Sequence, residues 1–305
     1  MTDLRPTSAA PRPDDADEPA PHLGVMARLQ SSGAARRLYP VPVGLALAKG
    51  RAEHVWRQDG AERAKAVRSM ELLVGATERA GEVQQLARAH LYQQRAYQEL
   101  LFRPEVVMNR PVAGLDRIRE HARAGTGVIL SVVHQGHFAA HSACIARHGL
   151  PITVLIAPTL MGEQPPTHSG LLRAQLFRTF SSGENVSVLD STGSYDVLRT
   201  QLESGGTVLL GCDLEGRTPV RFLGRTYGVP SGTGRLAMDT GAPVLPVHVV
   251  RDGHLQRLAI GEPVLPADHD DHRSVLQAVF DRHAPTVLAW PEAVERPPSH
   301  FHPVA

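Results

Sequence analysis

Short apolar runs alternate with amphipathic stretches through the middle of this chain. Apolar runs rich in β-branched and aliphatic residues, each bounded by glycine, proline or polar residues, occupy residues 128–133, 152–157, 186–189, 207–212 and 244–250. Runs of this length and composition predict buried strands. Helical patterns lie between them at residues 114–124, 137–147, 170–180, 194–204 and 235–240. Strands that alternate with helices predict an α/β fold, with a mostly parallel central sheet flanked by helices.

The two ends of this pattern differ from its middle. From Val55 to Phe102 the apolar residues recur at helical spacing, and Pro104 marks the exit, which predicts a helical N-terminal section. Residues 244–250 and 255–260, separated by a tight turn at Gly253, predict an antiparallel hairpin. We predict one domain over residues 23–305, with a helical preface at about 23–112 and an α/β core at about 113–290. Residues 1–22, rich in Pro, Asp and Ala, predict a disordered tail.

Composition narrows the class of protein. The chain has 305 residues, of which 42% are apolar and 21% charged, values typical of a soluble globular protein. A net charge of +1 gives no overall field that would favour DNA, so no nucleic acid partner is expected. Cys144 and Cys212 lie in apolar runs, which indicates buried, reduced thiols and fits a cytoplasmic protein.

The apolar stretch 38–48 is about half as long as the roughly 20 residues that a membrane span needs. We therefore expect this stretch to pack on the domain, and contact with a membrane surface is the alternative.

The candidate chemistry centres on Gly127 to His141, GVILSVVHQGHFAAH. A buried strand ends at His134, a turn follows at Gln135 and Gly136, and a helix begins after it. Open α/β sheets place their chemistry at such carboxyl ends of strands. A structural histidine that caps or fills the strand end explains the local sequence at least as well. Other segments of the chain are needed to choose between a functional and a structural histidine.

A second apolar strand, residues 207–212, ends at Asp213. In a parallel sheet the two strand ends lie at one edge, so His134 and Asp213 are expected to share a crevice. A histidine there can act as a general base, and a carboxylate can orient it or change its pKa.

The spacing of His134, His137 and His141 also suggests a metal site, but without an H-E-x-x-H or Cys-x-x-Cys pattern we expect none. A serine triad is disfavoured because there is no G-x-S-x-G motif, and Cys212 fits a core position better than a nucleophile.

Four blocks of the sequence resemble a known family. GVILSVVHQGHFAAH is similar to the block GVILLTAHFGNWE of the bacterial lipid A late acyltransferases, a family that includes lauroyl and myristoyl transferases and the phosphatidylinositol mannoside acyltransferases. Three further blocks resemble the same family: VAGLDRIREHARAGTGVIL, LESGGTVLLGCD and VRFLGRTYGVPSGTGRLAMDTGAPVLPVHVVRDG. Their order is kept from about residue 52 to 290. The resemblance implies a fold of the glycerolipid-acyltransferase type.

The resemblance also implies site residues. In the family a His-x4-Glu or His-x4-Asp dyad serves the reaction: the histidine deprotonates the acceptor and the carboxylate orients the histidine. Carried over, the histidine falls on His134 and the strand-end aspartate on Asp213. An arginine that takes part falls on Arg178, or less well on Arg173. We expect further substrate contacts from the following residues: Gly136, His137, Arg173 and Glu215.

The dyad carboxylate of the family falls on Ala139, which can neither accept a hydrogen bond nor carry charge. Three explanations stay open. Asp213 or Glu215 replaces the missing carboxylate; or the acceptor is intrinsically nucleophilic, such as an amine; or the protein is an inactive relative that binds acyl ligands. Losing an orienting group lowers a rate without abolishing the chemistry.

The implied activity is transfer of an acyl group from a thioester or other activated donor to a hydroxyl or amine. Acyl-CoA, acyl-carrier protein or another activated ester would be the co-substrate, with no resident cofactor or metal. Backbone N–H groups at the start of the helix at 137–147 would stabilise the oxyanion. The polar N-terminus, unlike the hydrophobic helix usual in the family, favours a soluble biosynthetic acceptor and a cytoplasmic location, with a peripheral position at the inner membrane face as the alternative. The competing function is that of a non-catalytic acyl- or lipid-binding protein.

Overall fold

A computed structural model describes residues 33–164, 167–253, 255–295 and 297–303. The tail expected at residues 1–22 lies outside these residues. In chain order the strands are β1 (Val112–Ala113), β2 (Val128–Val132), β3 (Ile152–Ile156), β4 (Val186–Asp190), β5 (Thr207–Gly211), β6 (Thr218–Phe222), β7 (Arg225–Val229), β8 (Val244–Asp252) and β9 (Leu255–Ile260).

The strands form a central sheet and a separate hairpin. The sheet has the order β1-β9-β8-β2-β5-β3-β4, and its neighbours from β8 to β4 are parallel. Strand β9 runs antiparallel to β8, as the hairpin prediction required. The mostly parallel sheet is therefore confirmed. The sequence pattern did not single out the antiparallel pair β6 and β7, because Pro219 and Gly228 interrupt its apolar positions.

The helices flank the sheet and precede it. In chain order they are α1 (Gly33–Arg36), α2 (Val41–Gln58), α3 (Gly60–Val74), α4 (Val83–Leu101), α5 (Pro104–Met108), α6 (Leu115–Arg123), α7 (His141–Ala146), α8 (Pro158–Met161), α9 (His168–Phe180), α10 (Tyr195–Glu203), α11 (Gly232–Thr240), α12 (His272–Ala289) and α13 (Pro297–His300). Helices α2, α3 and α4 pack against one another and form the predicted helical section. Helix α4 ends at Leu101, shortly before Pro104, as the proline predicted.

The core consists of two apolar layers, one on each face of the sheet. Successive residues of a strand point to opposite faces, so Ile129 lies in one layer while Val128 and Leu130 lie in the other. Helices α3, α4 and α12 cover the first layer. Because every residue of β2 is buried, the strand is covered on both sides, as is usual for a central parallel strand. Each fully buried aliphatic side chain of this kind stabilises the fold by about 1.5–3 kcal/mol.

The apolar stretch 38–48 is only half covered. Leu45 and Ala48 are buried against the domain, but Val43 and Leu47 are 46% and 47% exposed. Leu38, just before helix α2, is 85% exposed. Within the part of the chain that the structure describes, no helix combines the length and the apolar character needed to cross a membrane.

Candidate active site

The sheet register brings His134 and Asp213 together. Strands β2 and β5 are neighbours, and Val132 pairs with Gly211, so each side chain lies two residues beyond the same rung of the sheet. His134 Nδ1 lies 2.7 Å from Asp213 Oδ1. The backbone N–H of His134 donates to Asp213 Oδ2 at 2.8 Å. One carboxylate therefore holds both the imidazole ring and the backbone of His134.

This pair has a defined protonation pattern. The Asp213 side chain is fully buried and that of His134 is 16% exposed. A carboxylate that accepts two N–H groups is ionised and only accepts, so Nδ1 carries the imidazole hydrogen and Nε2 is the basic nitrogen. Burial lowers the pKa of His134, but the negative charges of Asp213 and Glu295 outweigh it and leave the pKa above the ordinary 6.5. The site thus favours an imidazole that gains a proton readily at Nε2.

Gly211, at the end of β5, makes room for the imidazole. A Cβ at this position would stand 2.9 Å from His134 Cε1, closer than carbon atoms approach without displacement. The ring therefore lies over the backbone of the neighbouring strand, and a larger residue would move it. The role of Gly211 was not predicted from the sequence, because it depends on which strand pairs with β2.

The turn after His134 is fixed by two distant segments. Gly136 has φ +61°, a left-handed conformation that favours glycine, and a Cβ there would collide with the side-chain oxygen of Gln256. Its N–H donates to the carbonyl of Ala293 at 2.8 Å. The N–H of His137 donates to Gln256 Oε1 at 2.7 Å. Gln256, whose role was likewise not predicted from the sequence, is buried in β9 and holds the turn through this bond.

These hydrogen bonds narrow the oxyanion expectation. The chain forms a 3₁₀ turn at residues 138–140 before helix α7 begins at His141. The N–H of His137 was expected at the oxyanion, but it is already donated to Gln256. The N–H groups of His134, Gln135 and Gly136 are likewise donated within the protein. The N–H of His137 and those of the three residues before it are therefore already used, and the expectation stays a prediction for the N–H groups that follow in the 3₁₀ turn.

An aromatic ring packs against the imidazole of His134. The Phe138 ring lies 4.6 Å from that of His134 and 5.7 Å from that of Phe180. The ring of His137 stacks on Tyr97 at 4.9 Å. These contacts turn His137 toward helix α4 and leave Phe138 as the ring packed against His134.

Ala139 lies in apolar surroundings. It is 1% exposed and lines a small pocket beneath helices α4 and α5. Leu100 and Val107 line the same pocket, with His137 at its edge. A methyl group thus stands where the resemblance places a carboxylate, and the carboxylate bonded to His134 comes instead from Asp213, just after strand β5.

None of the contacts described for Arg178, Arg173 and Glu215 goes to His134 or Asp213. Arg178 is exposed, and the contacts described for its guanidinium go to Gln175 on its own helix, at 2.9 and 3.1 Å. Arg173 donates to Ser169 at 3.0 Å. The carboxylate of Glu215 is 58% exposed and lies 3.9 Å from His302 Nε2. Within the described residues, the structure does not bring Arg178 into contact with His134 or Asp213.

The remaining histidines of the stretch are neutral, His137 half-buried and His141 fully buried. His141 is fully buried, and its ring nitrogens have no hydrogen-bond partner among the described residues. Burial lowers the pKa of His141 to about 3 and that of His137 to about 3. Among the residues described here, no group of three or more His, Cys, Asp or Glu side chains is placed to hold a metal ion.

Comparison with known proteins agrees with the resemblance seen in the sequence. A sequence model of the family described as bacterial lipid A biosynthesis acyltransferase matches residues 80–293. A phosphatidylinositol mannoside acyltransferase of Mycobacterium tuberculosis is 29% identical over 192 residues, which cover 60% of this chain and 57% of that protein. The protein of the same name from Mycolicibacterium smegmatis is 25% identical over 187 residues, covering 59% and 58%. The aligned part of the chain thus spans less than two thirds of the length of these relatives.

Proposed function

Because this chain belongs to the bacterial lipid A biosynthesis acyltransferase family, we propose that it transfers an acyl group from a thioester or other activated donor to a hydroxyl or amine acceptor. The observation that carries the proposal is the 2.7 Å hydrogen bond between His134 Nδ1 and Asp213 Oδ1. It gives the family's histidine an orienting carboxylate although residue 139 is alanine. Of the three explanations for Ala139, the geometry favours replacement by Asp213.

The proposed step uses both nitrogens of His134. Nδ1–H stays bonded to Asp213 while Nε2 takes the proton of the acceptor hydroxyl or amine. The acceptor oxygen or nitrogen bonds to the acyl carbon and forms a tetrahedral intermediate. The bond from that carbon to the donor sulfur then breaks, and the leaving thiolate takes the proton back from Nε2. Asp213 stabilises the imidazolium that exists between these two proton transfers.

Arg173 and Arg178 fit a role toward the donor better than one toward the base. Both lie on helix α9, which packs on the turn at residues 138–140 beside the site. Acyl-CoA and acyl-carrier protein both carry phosphate groups, which arginine binds well. We therefore assign these side chains to the donor side of the site. Gly136 shapes the turn, and we assign the exposed carboxylate of Glu215 to the acceptor.

The proposed location is the cytoplasm, with helix α2 as the surface that would meet a membrane if the acceptor is a lipid. The half-exposed Val43 and Leu47 lie one turn apart, and exposed Lys49 and Arg51 follow them. Apolar side chains beside basic ones favour contact with an anionic bilayer. Co-sedimentation with anionic vesicles tests this proposed membrane contact. The double change Val43→Asp and Leu47→Asp should abolish binding to the vesicles. Binding that is unaffected by the double change would contradict the proposed contact.

A donor screen tests the function. Acyl-CoA, acyl-carrier protein and other activated acyl esters are offered with hydroxyl and amine acceptors, and products are detected by mass spectrometry. His134→Ala should lower the rate by about 10²–10⁴-fold, the usual contribution of a general base. His148→Ala, the same change at an exposed position, should leave it unchanged. Transfer undiminished in His134→Ala would contradict the mechanism. Acyl binding with no transfer from any donor would favour the non-catalytic alternative.

A further inference from the structure

The chain after helix α12 returns to the candidate active site. Residues 291–295, here called the strap, run along the turn that follows His134. The N–H of Gly136 donates to Ala293, Gln135 pairs with Val294, and the N–H of Glu295 donates to the carbonyl of His134 at 2.7 Å. The backbone of the strap is therefore bonded to His134 and Gly136, the residues on either side of Gln135. The family match ends at residue 293, two residues before Glu295.

The end of the chain anchors the strap. Phe301 is 1% exposed, and its ring packs on those of Phe222 and Tyr227 at 5.5 and 5.4 Å. The strap is thus held at both ends, by helix α12 on one side and by this aromatic cluster on the other. Glu295, the residue bonded to His134, is half-buried between the two anchors.

We propose that Glu295 is a positioning residue that acts through His134. Its N–H donates to the backbone carbonyl of His134 opposite it in the bridge, and the negative charge of its side chain favours the protonated imidazole. The inference rests on the proposed function, since it assigns a role in base catalysis. A half-buried carboxylate interacts with a neighbouring imidazolium more strongly than an exposed one does, because water screens it less. The charge therefore stabilises the imidazolium that forms when Nε2 takes the acceptor proton.

The neighbouring histidines add no negative charge that would stabilise the protonated ring of His134. Asp213 holds Nδ1 from just after strand β5, and burial keeps His137 and His141 neutral on the side of the turn and helix α7, each with a pKa of about 3. His283, on helix α12 behind the strand, is also neutral, with a pKa lowered to about 3 by burial. Of these groups, Asp213 and Glu295 are the two whose negative charge raises the pKa of His134.

Glu295→Gln separates a positioning role from a structural one. The substitution keeps the backbone N–H and the size of the side chain but removes the charge. The matched control is Glu292→Gln, the same change in the same strap, where the carboxylate lies 3.6 Å from Arg251 instead. Both variants are first compared with the wild type by thermal unfolding, so that a loss of fold is not mistaken for a loss of charge.

The experiment is a nitrogen-15 NMR titration of His134, which needs no substrate. In Glu295→Gln the pKa of His134 should be lower than in the wild type, by less than in Asp213→Asn, and in Glu292→Gln it should be unchanged. With a donor and acceptor in hand, kcat should fall about tenfold in Glu295→Gln with little change in KM, and its acid limb should move to lower pH. A His134 pKa identical in Glu295→Gln and wild type would overturn the inference even if acyl transfer is observed. A lowered pKa without transfer from any donor would refute the proposed function and leave the effect of Glu295 on the imidazole established.

Discussion

Two histidines that pack beside strand β2 have pKa values shifted in opposite directions. His134, at the end of the strand, bonds the carboxylate of Asp213, and its pKa is raised. His283, packed behind the strand, bonds the hydroxyl of Ser131 at 2.9 Å, and burial lowers its pKa to about 3. The charge of Asp213 reaches His283 as well but does not outweigh burial there. A direct carboxylate partner therefore separates an imidazole that can carry a proton from one that stays neutral.

The hydrogen-bond partners around the two rings differ in charge in the same way. Behind the strand, His283 packs against the ring of His248 at 5.5 Å, and His248 bonds the hydroxyl of Thr286 at 3.2 Å. Hydroxyl groups satisfy a neutral imidazole without favouring its charged form. At the strand end, by contrast, the bonded partner is ionised. The neutral histidines behind the strand are therefore suited to stabilising the fold, and His134 at the strand end is suited to proton transfer.

The largest expected effect comes from removing the carboxylate at the strand end. Asp213→Asn should lower kcat/KM by about 10³–10⁴-fold, because an amide no longer enforces the Nδ1–H tautomer or stabilises the imidazolium. Steady-state kinetics with the donor found in the screen measures it. Asp190→Asn, at the end of strand β4, is the matched control and should have little effect. Equal losses in the two variants would mean that Asp213 acts only through the fold.

A fall in pH should have opposite effects on the stability contributed by the buried core histidines and on that contributed by His134. His90, His141 and His283 have pKa values of about 4, 3 and 3, below the ordinary 6.5. The unfolded chain therefore binds more protons at these residues, and each should remove about 1.4 kcal/mol of stability per pH unit as the pH falls below 6.5. His134 has the opposite sign: its contribution is present below pH 6.5 and is lost as the pH rises through its raised pKa. Denaturant unfolding at several pH values measures the sum, and a free energy of unfolding that stays constant from pH 6.5 to 4.5 would contradict the neutral core histidines.

A smaller effect is expected from displacing the imidazole without changing its partner. Gly211→Ala should lower activity by about 10–100-fold, because the new methyl group pushes the ring away from its reacting position. Gly50→Ala, at an exposed helical position with nothing within 4 Å, should leave activity unchanged. Kinetics of the two variants, with unfolding curves beside them, checks this. Full activity in Gly211→Ala would show that the ring position is not critical.

The smallest effect on activity is expected behind the strand. His283→Gln should cost about 1–3 kcal/mol of stability, since the buried hydroxyl of Ser131 loses a well-placed partner. The rate per folded molecule should stay within about threefold of the wild type, because the bond between His134 and Asp213 is kept. Urea unfolding and kinetics on the same sample measure both quantities. A large loss of rate with unchanged stability would place His283 in the reaction and remove the contrast between the two regions.

The sequence predicted the fold and the family, and it predicted the strand ends that carry His134 and Asp213. It could do so because apolar runs mark the strands, and parallel strands end at one edge of a sheet. It did not predict Gly211, whose role depends on the pairing of β5 with β2. It also missed Gln256, which is 119 residues from the His137 it holds. Contacts over such separations leave no local pattern in a single sequence.

The most direct test of the central claim is the tautomer and titration of His134, followed by nitrogen-15 NMR in the wild type and in Asp213→Asn. The account predicts that Nδ1 carries the hydrogen in neutral wild-type His134, that its pKa lies above 6.5, and that the pKa falls in Asp213→Asn. A neutral ring protonated at Nε2, or a pKa that is the same in both proteins, would show that Asp213 does not replace the carboxylate missing at Ala139.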